Sequence, residues 1–228
     1  MAKPAFDADT LITQFETASA QGSAKLREAV GQATLQALQG RELSLKNIRA
    51  VLATVTQAAS TGLARNASPG LDVDSLLDQA VAGMDDALLK AVDANRVALE
   101  QLAAQGADLR EKHLKKAIGD LEKLEDTLIA TVGKSAGAAG EPMAAAWGQV
   151  LDKLNAGGTL SGAKAASTAE QFQQQMKQMQ TAMRDTRAAS LRAAQALAES
   201  YTAMVSGVLI GMADAIKQAP AAKASRKK

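Results

Sequence analysis

From Ser167 to Gln218 the chain contains no proline, and glycine enters only at Gly207 and Gly211. Proline is the strongest interrupter of a helix, so so long a run without it predicts one long helix if the apolar residues also recur at helical spacing. They do. Phe172, Met176, Met179 and Met183 step by four, three and four, which keeps them on one face and makes a packing seam. Leu197, Tyr201, Met204, Val208, Met212 and Ile216 continue that face, and Val205, Leu209 and Ile210 widen it beyond a narrow stripe. At about 1.5 Å per residue the helix would extend roughly 75 Å. Its apolar face then needs a long partner helix, a second chain or a non-protein surface.

The rest of the chain reads as helices that cover this one. Asp9 or Thr10 caps a first helix whose face includes Leu11, Phe15, Ala18, Gly22, Leu26, Ala29, Ala33 and Leu38, with Gly40 placed to stop it. Ser44 caps a second, with Leu43 and Ile48 as a hydrophobic staple, and it runs through Leu52, Val55, Ala59 and Leu63 to Arg65. Asn66 to Gly70 is a turn. The periodicity from Asp72 to Val132 predicts a second long helix, bending at Gly106 and Gly119. Asp86 before Lys90 is an acid–base pair at the spacing that marks its wet side. Glu141 and Pro142 open a short helix carrying Trp147, Val150, Leu151 and Leu154, ended by Asn155, Gly157 and Gly158.

The expected fold is therefore all-α: an elongated antiparallel bundle in which the helix 72–132 packs against the helix 167–218. Its parts are 1–65 (two N-terminal helices), 66–140 (the long central helix with linkers), 141–218 (short helix, Gly-rich loop and long C-terminal helix) and a disordered basic tail, 219–228. Composition agrees. Hydrophobic residues make up 47% of 228, enough for a core, yet only five residues are aromatic, so the helices pack through Ala, Leu and Met. Such a core gives up few large anchors when it opens.

Charge and residue usage exclude several classes of function. There is no cysteine, hence no disulfide framework, thiol chemistry or Cys-based metal site. The first nine residues carry no apolar core of a secretory signal, which favours a cytoplasmic location. Net charge is +2, but Lys223, Arg226, Lys227 and Lys228 supply four of the 26 basic groups, leaving 22 basic against 24 acidic in residues 1–222. The body is slightly acidic and lacks aromatic platforms, which argues against sequence-specific nucleic-acid binding even with Lys177, Arg184, Arg187 and Arg192 on the long helix.

Motifs with chemistry are scarce. His113 is the only histidine and no Glu-x-x-His pair surrounds it, so it reads as a solvated helix residue. Gly157 to Lys164, GGTLSGAK, resembles a phosphate loop, but Ala163 stands between the second glycine and the lysine and no strand precedes it; it reads as a linker. Asp120, Glu122, Glu125 and Asp126 lack calcium-loop spacing and read as a solvated face. The 14 uncharged residues between Glu199 and Asp214 are too few to span a bilayer. No nucleophile, base and anion-binding element converge, so an enzyme is not expected and no cofactor is assigned.

With its Ala/Gln-rich, cysteine-free helical chain, the run QFQQQMKQMQ at Gln171 to Gln180 and the Ala/Lys tail at Ala219 to Lys228, the layout resembles the phasins, which coat polyhydroxyalkanoate granules. The resemblance implies a self-associating, amphipathic coat protein on a hydrophobic polymer. On that reading Leu197, Tyr201, Met204, Val208, Leu209 and Met212 contact the granule or lipid surface. Phe172, Met176, Met179 and Met183 join copies into a homo-oligomer, and the tail residues Lys223, Arg226, Lys227 and Lys228 add electrostatic attachment. The alternatives are a coiled-coil scaffold that binds another protein and, from a third class, a membrane-inserting helical protein.

Overall fold

Asp7 and Ser44 start two helices by the same device, a side-chain oxygen that takes a backbone N–H of the first turn: from Asp9 at 3.3 Å and from Asn47 at 3.4 Å. The computed structural model describes residues 7–39, 41–66, 72–104, 109–138, 140–182, 201 and 204–208. Its elements are α1 (Ala8–Ala20), α2 (Ser23–Leu38), α3 (Leu45–Arg65), α4 (Val73–Ala104), α5 (Leu109–Glu122), α6 (Leu124–Ala136), α7 (Glu141–Gly157) and α8 (Leu160–Ala182). Tyr201 and residues 204–208 are also helical and are called the C-terminal segment below. No strand occurs among the described residues, so the protein is all-α as expected.

Beyond the first cap, which is Asp7 where Asp9 or Thr10 is expected, the boundaries differ from the expected ones in four places. The first predicted helix is two, because Gly22 adopts φ +110°, a conformation that glycine reaches without steric cost and that reverses the chain between α1 and α2. Gly119 does not interrupt its helix: the residue lies inside α5, among buried Leu114, Ile118 and Leu121, and the interruption falls at Lys123. Gly106 and Gly40 lie outside the described residues. α8 begins at Leu160, so part of the expected linker is helix.

The fourth difference concerns the long C-terminal helix. Lys164 on α8 pairs with Asp93 of α4 at 3.3 Å, and the Tyr201 hydroxyl donates to Asn95, two residues further along α4. On one straight helix Lys164 and Tyr201 would stand about 55 Å apart at 1.5 Å per residue. Side chains cannot bridge that span, so α8 and the described C-terminal residues do not lie on one straight helix; residues 183–200 and 209–218 lie outside the described residues. Helical periodicity constrains which face is apolar and does not constrain how far a helix continues.

Packing follows from small residues placed at crossings. α2 lies along α4, α1 along α3, α3 on α6, and α7 between α4 and α6. α8 touches α4, α5 and α6. Leu160 meets Asp85 and Lys164 meets Asp93, so α8 follows the direction of α4; it opens at Glu125 of α6 and further along brings Met176 beside Ile118 and Gly119 of α5, so it opposes α5 and α6. At the α2–α4 crossing Gly31 faces Gly83, and a Cβ on Gly83 would sit 2.4 Å from the Arg27 carbonyl oxygen. Arg27 then reaches Asp86 with two hydrogen bonds of 2.7 and 3.0 Å; Asp86 is thus tied to α2, where the sequence suggested a pair with Lys90. Phe15, Leu26, Leu52, Leu77, Met84, Leu88, Leu99, Trp147 and Phe172 fill the core. Trp147 donates its indole N–H to Ser60 at 2.9 Å, which satisfies the one polar atom of the largest buried side chain.

Candidate functional site: a docked C-terminal segment

The residues expected to meet a hydrophobic surface are partly spent on the fold. Val205 is 1% exposed, and Tyr201, Met204 and Val208 are partly buried against the core, while Gly207 faces solvent. The spacing of Tyr201, Met204, Val205 and Val208 at three, four and seven residues explains this, because all four share one helical face. Leu197, Leu209 and Met212 lie outside the described residues.

The segment docks where α4, α5 and the approach to α3 meet. Tyr201 Oη donates to Asn95 Oδ1, and Asn95 is 1% exposed although it lies on the otherwise apolar face of α4 that carries Ala91, Val92, Ala98 and Leu99. Burial, followed by the negative charges of Glu42 and Asp120, pushes the phenol far above its ordinary pKa of 10, so it is neutral and available as a donor. Burial also raises the Asp120 carboxyl above 3.8; Lys116 opposes that shift and Glu42 adds to it. Lys116 forms an ion pair with Glu42. The phenol thus rests on an apolar floor within electrostatic range of Glu42 and Asp120, while the Lys116–Glu42 pair itself stays about half exposed.

In the other proposed seam, Phe172 is 2% exposed and belongs to the core of its own chain, and Met176 is partly buried against that core. The Met179 side chain and Met183 lie outside the described residues, as do the tail residues Lys223, Arg226, Lys227 and Lys228. His113 is exposed.

The glycine-rich stretch before α8 has a different role from the two weighed for it. Its backbone donors are already engaged: Leu160 N–H and Ser161 N–H go to the two carboxylate oxygens of Asp85, each at 2.9 Å, and Gly162 N–H goes to Thr159 Oγ1 at 2.9 Å. Thr159 N–H goes to Glu125 Oε1 at 2.6 Å, and Ala163 N–H to the Thr159 carbonyl at 3.1 Å. The donors that a phosphate would need are therefore occupied by two of the chain's own carboxylates. A Cβ at Gly162 would lie 2.5 Å from Glu125 Cδ, which is why that turn holds a glycine. Glu125, read from sequence as part of a solvated face, is a helix cap. Neither Asp85 nor Glu125 carries a local signal of this role, because both act on residues remote in sequence.

Among the described residues, no helix is long and apolar enough to cross a membrane, and no group of three or more His, Cys, Asp or Glu is placed to hold a metal. The chain belongs to a family of unknown function, DUF6781, whose model matches residues 1–218. No curated protein and no solved structure matches the chain.

Proposed function

We propose that this member of the family is a non-enzymatic, amphipathic helical protein that coats or binds a hydrophobic surface, in the manner of the phasins it resembles. The observation that carries the reading is the C-terminal segment: an apolar face is docked on the core through Asn95, within electrostatic range of Glu42 and Asp120, with Gly207 on its outer side. Moving Tyr201, Met204, Val205 and Val208 from bundle to granule keeps them out of water, so the exchange costs little hydrophobic free energy. The surface would be a polymer granule or a lipid monolayer in the cytoplasm, and bound copies would associate laterally into a homo-oligomer. The tail charges would add attraction to an anionic surface.

Flotation with polyhydroxybutyrate particles and with phospholipid-coated oil droplets tests this. The intact protein should partition to at least one of them at micromolar concentration. Met204→Asp and Val208→Asp should each reduce partition by roughly tenfold or more, since a carboxylate resists transfer to an apolar phase. Absence of partition by the intact protein to either surface overturns the reading.

A further inference from the structure

The face proposed to meet the surface is the same face that holds the C-terminal segment on the bundle, so the two contacts exclude one another. We infer that the docked segment is autoinhibitory, with the Tyr201–Asn95 hydrogen bond as its latch, and that the protein binds its surface only when the latch opens; this rests on the surface-binding reading above. Val205, Tyr201, Met204 and Val208 are packed inward, and a copy with these four so placed does not offer them to a granule.

The floor beneath the segment is suited to being uncovered. Asn95 takes a position at which its neighbours on α4, Ala91, Val92, Ala98 and Leu99, are buried and apolar. A leucine there would hold the segment by area alone and would leave a larger apolar scar on release. Asparagine instead supplies one directional hydrogen bond while the segment is docked and takes water when it leaves. Glu42, Lys116 and Asp120 at the same place are likewise compatible with water. The polar groups specify where the segment docks and lower the cost of undocking it.

Asn95 is outside the proposed surface contact, so changing it acts on docking alone. The intact chain and its Asn95→Ala variant would be compared by amide hydrogen exchange over 204–208 and by partition to polyhydroxybutyrate particles and oil droplets. The variant should exchange faster in that segment with the exchange of α1, α2, α6 and α7 unaltered, and its partition should rise roughly tenfold. Faster exchange with unchanged or weaker partition, while the intact chain binds, overturns autoinhibition and leaves the surface reading standing. Faster exchange with no partition by either protein overturns the surface reading itself, and the inference with it. Unchanged exchange overturns the latch. If Asn95→Ala fails to fold, Asn95→Ser decides by the same measurements, because its hydroxyl can bond to the backbone of its own helix while the phenol loses the acceptor that Asn95 supplied.

Discussion

Gly31 of α2 and Gly83 of α4 meet backbone to backbone: a Cβ on Gly31 would stand 3.2 Å from the Gly83 carbonyl oxygen, and one on Gly83 would stand 2.4 Å from that of Arg27. The crossing brings two helices to a separation that no side chain permits, and it sets the level at which Arg27 reaches Asp86. Gly83→Ala must push the helices apart, and overpacking of this kind costs about 1–3 kcal/mol or more. Gly31→Ala, with the wider gap, should cost less. Gly119→Ala and Gly148→Ala are the controls: both lie within helices with nothing within 4 Å of the new Cβ, and each should stabilise by about 0.5–1 kcal/mol. Urea denaturation of the four variants checks the order.

Asp85 should be worth more than an ordinary surface carboxylate. Asp85→Ala leaves Leu160 N–H and Ser161 N–H without their acceptor, and Ser161 is fully buried. The expected loss is about 2–3 kcal/mol, in the range for hydrogen bonds to a charged group. Hydrogen exchange at these two amides should accelerate in step. Asp85→Asn, which keeps one acceptor oxygen, should lose less.

Ser60→Ala removes the acceptor of the Trp147 indole N–H in the interior. The stranded donor should cost about 1–3 kcal/mol. Trp147 is the only tryptophan, so its fluorescence reports unfolding and local change without ambiguity. A variant as stable as the parent would show that another acceptor takes over.

Tyr201 is the only tyrosine, and its titration can be followed by ultraviolet absorbance. Its phenol pKa is raised in the folded state by burial, Glu42 and Asp120. The sign follows from linkage: the folded form holds the proton more tightly, so the contribution to docking is complete below pH 10 and is lost as pH climbs above it toward the folded value. At pH 11 the native protein should show little phenolate, whereas the urea-unfolded chain should be largely ionised. Phenolate forming near pH 10 in the native protein would show Tyr201 to be exposed.

Features set by neighbours in sequence were legible without coordinates. Ser44 caps α3 through Asn47, three residues on, beside buried Leu43 and Ile48, and α7 starts at Glu141–Pro142 and ends at Gly157. Gly22 was misread because the apolar spacing runs unbroken across it, and a periodic pattern cannot distinguish one helix from two that present the same face. The tie between Tyr201 and Asn95 joins residues 106 apart, and those of Asp85 and Glu125 to the start of α8 join residues 75 and 34 apart. Such pairings depend on the path of the chain in space. Among the proposed surface residues, the pattern identified one shared face but not which way that face turns.

The capping of α8 has a bearing on the order in which the chain assembles. Thr159 supplies one acceptor locally, but the first two helical amides depend on Asp85 and the cap's own amide on Glu125, so the start of α8 is completed only when α4 and α6 are both already in place. During synthesis both of those helices emerge before α8 does. The C-terminal third therefore arrives at a finished template, and severed from it this third would have to nucleate α8 with three of its donors given to water.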